Sequence, residues 1–75
     1  MNQKFEITGD YIELNKLLKA SGLCGSGGQA KMLIKDGLVF VDGKIETRVR
    51  RKIKAGMTIK YDSHTLKVKD KKLLL

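Results

Sequence analysis

The side chains from which nucleophilic chemistry would start in this sequence are Ser26 and Cys24, and the only base available to them is His64, inside a turn signal. A catalytic nucleophile needs a base within hydrogen-bond reach and a third group to orient that base, and no such triad is spelled out here. The carboxylates have local duties instead: Asp10, Glu13 and Asp36 fall at helix ends or faces, and Asp42 and Asp62 fall in turns. The lone Cys24 cannot form an internal disulfide and has no paired spacing with His64 for zinc, so it reads as a small packing residue beside the Gly22 turn. The expectation is a protein with no catalytic residue, no metal and no cofactor.

Charge offers a different chemistry. Sixteen Lys and Arg stand against eight Asp and Glu, a formal net charge of +8, and that excess on a small chain favours a polyanionic partner. Two constellations concentrate it. The first is Ser26-Gly27-Gly28-Gln29, opening a helical pattern. Glycine in a helix interior costs about 1 kcal/mol relative to alanine, so the pair calls for an explanation. A helix N-terminus presents unpaired N–H groups and a partial positive charge, and glycine lets a phosphate approach them. The competing explanation is that the glycines permit a tight interhelical turn or close helix packing. Gly27, Lys31 and Lys35 fall at i, i+4 and i+8, away from Leu33 and Ile34, and would form a phosphate track about 12 Å long at 1.5 Å per residue. Two lysines on a solvated helix face would look the same.

The second constellation is Lys44, Arg48, Arg50, Arg51, Lys52 and Lys54, opposed only by Glu46. Arginine's planar fork binds phosphate through two N–H groups and stacks on a splayed base. A purely solvated basic loop is the alternative. Lys16 and Lys19 are weaker candidates that also serve to keep a helix face wet. Aromatics are 5% of the residues: Phe5 and Phe40 read as core, Tyr11 opens a helix and Tyr61 sits on a strand. Recognition by shape and backbone is therefore favoured over sequence-specific reading of single strands.

These groups need elements to hold them. Phe5 and Ile7 alternate with charged residues in a short leading strand. Asp10 and Glu13 have capping-box spacing, and Tyr11, Leu14, Leu17 and Leu18 recur at helical period, which predicts a helix over 11–20 ending at Ser21-Gly22. Ser26 and Gln29 repeat the box, and Ala30, Leu33 and Ile34 predict a helix over 27–36 stopped by Gly37. LVFV at 38–41, the turn Asp42-Gly43 and a return strand over 44–47 make a hairpin; MTIKY at 57–61 and TLKVK at 65–69 make another around Asp62, Ser63 and His64. The final KKLLL either packs across the sheet or leaves an exposed apolar end. With 75 residues and 41% hydrophobic content the chain reads as one globular domain over 1–75. No apolar run approaches the roughly 18 residues that span a bilayer, so a soluble, cytoplasmic monomer without membrane contact is expected.

Taken in order, a helix containing LNKLLKASGL, a serine-led helix with QAKMLIKDG, the strand-turn VFVDGK, a basic segment and AGMTIKY resemble the S4 RNA-binding domain over about residues 12–61. The resemblance implies an α+β fold, two short helices packed on a small, bent, mostly antiparallel sheet. It also implies RNA held where the second helix starts and along the adjoining strand and turn, which carries over to Ser26, Gly27, Gly28, Gln29, Lys31 and Lys35 and to Asp42, Gly43, Lys44, Arg48, Arg50, Arg51 and Lys52, with Lys16 beside them. Many members carry a serine-arginine pair at the second helix, whereas here Ser26 is followed by Gly27-Gly28. This version looks like the small stand-alone YaaA/YbcJ-like subgroup, which shares S-G-G-x-A-K. Backbone amides at Gly27 and Gly28, with Arg48, Arg50 and Arg51, would then replace the usual arginine contact. The expected partner is structured RNA, ribosomal or tRNA-like, in a ribosome-associated setting. The competing classes are a helix-turn-helix protein on duplex DNA and an adaptor docking on an acidic protein surface.

Overall fold

The computed structural model of the chain describes residues 2–71. Its elements are β1 (Asn2–Ile7), β2 (Ile12–Glu13), α1 (Leu14–Ala20), α2 (Gly27–Lys35), β3 (Val39–Val41), β4 (Lys44–Ile45), β5 (Lys52–Ile53), β6 (Thr58–Tyr61) and β7 (His64–Asp70). Five strands form one sheet in the order β1-β7-β6-β3-β4, with β1 and β7 parallel and the other pairs antiparallel. The short strands β2 and β5 pair separately. The architecture is thus α+β with a mostly antiparallel sheet, as expected, plus a two-stranded ribbon that local patterning did not announce.

The second helix follows its sequence signals at both ends. Ser26 Oγ accepts the Gln29 N–H at 3.2 Å. The Gln29 side chain reaches one residue further back than a capping box, accepting the Gly25 N–H at 2.9 Å. At the other end Gly37 takes φ +75°, its N–H donates to the Ile34 carbonyl, and the Leu38 N–H donates to the Leu33 carbonyl. Those are the two bonds of a Schellman stop.

The first helix corrects the expectation. It starts at Leu14, not at Tyr11, and Glu13 makes no side-chain cap bond. Ile12 and Glu13 are extended and pair with Ile53 and Lys52. The N–H groups of Leu14 and Asn15 donate to the carbonyls of Arg51 and Val49, at 2.9 and 3.1 Å. A helix leaves its first N–H groups without intrahelical partners, and here a distant backbone supplies the acceptors that Asp10 and Glu13 were expected to supply. Glu13 is free to pair with Lys16 at 3.3 Å.

Both expected hairpins form, each with a two-residue turn, although the return strand of the first is Lys44–Ile45, shorter than the expected 44–47. Asp42 and Gly43 both have positive φ, 51° and 85°, the conformation that tight hairpins favour because it matches strand twist. His64 lies in β7, paired with Tyr61, and not in the turn. Phe40 is not core. Val39 and Val41 point inward and are buried, so alternation turns the half-buried Phe40 to the other face. Tyr11 is 44% exposed. Residues 72–75, which carry most of the KKLLL end, lie outside the described residues.

The core lies between the helices and the inner face of the sheet: Leu14, Leu17, Leu18, Ala30 and Ile34 meet Val39, Val41, Ile59, Leu66 and Val68. Cys24 is buried with them, and burial pushes its thiol pKa up, which suits packing more than reactivity. Ile53 is fully buried and is the apolar anchor that ties β5, and with it the basic segment, to this core. Ile53→Val, which removes one methylene, should cost about 0.5–1.5 kcal/mol. Urea unfolding should show a lower midpoint at unchanged slope; an unchanged midpoint would mean that Ile53 does not anchor the segment.

Candidate nucleic-acid interface

The start of α2 lies open. A Cβ built on Gly27 meets nothing within 4 Å, and one on Gly28 meets only Ser26 Oγ at 3.9 Å. Neither residue has positive φ, whereas Gly22, in the connection between the helices, has φ +85°. The turn is therefore made by Gly22, and neither backbone conformation nor close packing requires glycine at 27 or 28. What the pair does is leave the first-turn amides of α2 bare.

Gly27, Gly28, Lys31 and Lys35 line one surface hollow of about 480 Å³, and its far wall is Asn15 of α1 and Arg50 of the basic segment. Arg50 makes no ion pair among the described residues. It also lines a second hollow of about 550 Å³ with Arg48, Arg51, Lys52 and Lys54. Arg48 and Arg51 in turn border a third, about 580 Å³, with Asp42, Lys44 and Glu46. Shared walls make the three hollows one arc, running from the N-terminus of α2 to the Asp42-Gly43 hairpin.

Glu46 sets the geometry of that arc. It is 8% exposed, and its carboxylate accepts from the Arg48 backbone N–H at 3.0 Å, from Arg48 Nε at 2.9 Å and Nη2 at 3.2 Å, and from Arg51 Nη1 at 3.3 Å. The Arg48 side-chain bond, aided by the Arg48 and Arg51 charges, holds the Glu46 carboxyl below the usual range and outweighs the opposing effect of burial. The same partner raises the Arg48 pKa further. The single acid of the basic stretch thus holds two of its arginines in fixed positions, with 68% of the Arg48 side chain still open to solvent.

Several residues predicted from sequence have other duties. Lys16 is on α1, paired with Glu13, and lines none of the three hollows. The Gln29 amide is engaged by Gly25, and Asp42 Oδ1 accepts the Thr58 N–H at 2.9 Å, bracing β6. Gly43 belongs to a separate hollow beside Phe40 and Lys60. Two residues outside the predicted set adjoin the arc, Asn15 in the wall of the α2 hollow and Tyr11 against Lys52. Asn15 Oδ1 is buried with no hydrogen-bond partner. Tyr11 has the Lys52 ammonium 5.0 Å from its ring centroid, a cation–π contact. Their signal is tertiary, because both reach the basic segment through the β2–β5 ribbon and the first turn of α1.

The family model of the S4 domain matches residues 5–69. This chain belongs to the S4 domain family. It is 48% identical over 58 residues to the putative RNA-binding protein YbcJ of Escherichia coli K12, covering 77% of this chain and 83% of that protein. The same figures hold for the uncharacterized protein YbcJ of Shigella flexneri. The solution structure of Escherichia coli YbcJ, described as revealing an αL motif involved in RNA-binding, superposes with a TM-score of 0.70 at 43% identity, covering 88% of this chain and 85% of that one. The S4 match extends beyond the 12–61 expected from motifs, taking in the second half of β1 and nearly all of β7.

The Glu46 clamp has a pH signature. Its folded-state pKa is lowered, so its stabilisation is fully present above the ordinary glutamate pKa of about 4.3 and is lost as pH falls through the lower folded value. Glu46→Gln should therefore be less stable than the natural protein at neutral pH, with the gap closing on acidification. Urea midpoints measured from pH 7 to pH 3 check this; a gap independent of pH would mean that the charge of Glu46 is not what holds the arginines.

Proposed function

We propose that this S4 domain binds folded RNA, of ribosomal or tRNA-like shape and in a ribosome-associated setting, through phosphate backbone and shape and without altering it. The observation that carries the reading is the pair of unobstructed glycines at the start of α2, facing Arg50 across one hollow with Lys31 and Lys35. Bare first-turn amides and the helix dipole suit one phosphate, and the arginine arc suits the backbone that continues from it. The relatives named for RNA binding support the same partner.

The helix-turn-helix reading needs base-reading side chains at the start of α2, and the Gln29 side-chain oxygen there already accepts the Gly25 N–H.

Gly28→Asp tests the site because it moves folding and binding in opposite directions. The position has room for a side chain, and an acid in the first turn should stabilise the helix by about 0.3–1 kcal/mol. Placed where a phosphate is to sit, the same carboxylate should weaken binding to a folded RNA at least ten-fold, while duplex DNA of equal charge binds weakly to both proteins. Fluorescence titration at fixed salt, beside thermal unfolding, reads both. Undiminished RNA affinity in a stabilised Gly28→Asp protein would place the RNA elsewhere.

A further inference from the structure

The face of the sheet turned away from the helices carries a second set of charges. In β7, Leu66 and Val68 point into the core, so alternation puts Thr65, Lys67 and Lys69 on the opposite face. The register places Lys4 directly beside Lys67 and Glu6 beside Lys69 across the β1–β7 pair, and Thr58 beside Lys67 across the β6–β7 pair. Lys60 lies on the same face, beside Thr65 and Phe40. None of these four lysines forms an ion pair among the described residues. Like charges directly opposite one another in a sheet are destabilising, and a face that had only to stay wet would intersperse both signs. Here Lys4 and Lys67 are immediate neighbours, and Glu6 is the one acid within the row.

The face is also concave. Thr58, Lys67 and Lys69 line a hollow of about 480 Å³ together with the turn at Gly56 and the acids Glu6 and Asp70. That turn is pinned to the strand, since the Gly56 N–H donates to the Val68 carbonyl and the Val68 N–H donates to the Met57 carbonyl. Lys67 and Lys69 are about 7 Å apart along β7, two residues at 3.3–3.4 Å each.

We propose that this outer face is a second phosphate-backbone surface, so that one domain bridges two RNA segments, one on the α2 arc and one across the sheet. The inference rests on the RNA-binding reading above and adds a second contact on the opposite side of the sheet layer. Charge complementarity selects the occupant: four lysines that form no ion pair among the described residues outnumber the two acids beside them, Glu6 and Asp70, and a run of phosphates would neutralise the excess.

The test uses the full chain with two copies of one short hairpin RNA, too short to wrap the domain, one carrying a donor and the other an acceptor fluorophore. The natural protein should bring the two labels together and saturate at two RNAs per protein in sedimentation. Lys67→Thr with Lys69→Thr keeps strand propensity and removes two charges. That variant should hold its first RNA within about two-fold of the natural affinity while energy transfer disappears and the stoichiometry drops to one. Arg50→Ala with Arg51→Ala, matched in charge, should instead lose the tighter of the two binding events. One RNA per natural protein without transfer, or transfer that survives in the lysine variant, overturns the second surface and leaves the first intact. A lysine variant that loses its first RNA as fully as the arginine variant overturns it as well, because the two faces would then serve one continuous site. A natural protein that binds no RNA overturns both readings.

Discussion

Two backbone hydrogen bonds hold the candidate interface together: the first-turn N–H groups of α1, at Leu14 and Asn15, donate to the carbonyls of Arg51 and Val49. A helix end must find acceptors somewhere, and by finding them in the basic segment α1 draws that segment alongside itself. The segment's backbone is thereby spent on α1 and its Ile53 side chain on the core, and Arg50 is left to line the hollow beside α2. Without that tether, residues 46–53 would be a mutually repelling loop with little reason to keep a fixed path.

Glu46 completes the arrangement from the other end. An acid among six bases is ordinarily read as a subtraction from the positive field. Buried and fully engaged, it acts instead as a template: it fixes the fork of Arg48 and one nitrogen of Arg51, so part of the ordering entropy of two long side chains is met before any ligand arrives. Arg50, lying between them in sequence, is left unclamped and turns to the α2 hollow. The division of labour follows from the reach of one carboxylate.

The glycine pair gives this S4 domain its particular character. Where a side chain at the start of α2 would contribute its own contact, Gly27 and Gly28 contribute only amides and space. The loss of helix propensity is small at a first turn that Ser26 already caps, and the cations that would complete the proposed phosphate site come from Lys31, Lys35 and Arg50. The site is thus shared between a helix end and a segment distant in sequence.

The sequence by itself determined whatever is governed by interactions spanning a few residues. Both ends of α2 follow from Ser26, Gln29 and Gly37; the hairpin follows from Asp42-Gly43; the alternation of β6 and β7 gives the terminal hairpin; and the two basic constellations follow from residue type and spacing. The family was legible too, because several such local pieces occur in order. The start of α1 was misread because the acceptors that end its N-terminal frayed turn lie more than thirty positions away, at Val49 and Arg51, and capping rules see only neighbours. Phe40 reads as core in a local window and lies on the outer face, because an apolar run does not reveal which face each residue takes until the partners on either side are known. The roles of Glu46, Asn15 and Tyr11, and the row of lysines on the outer sheet face, were decided by tertiary structure alone. Burial, register and long-range pairing are properties of which surfaces meet, and no window of sequence contains both.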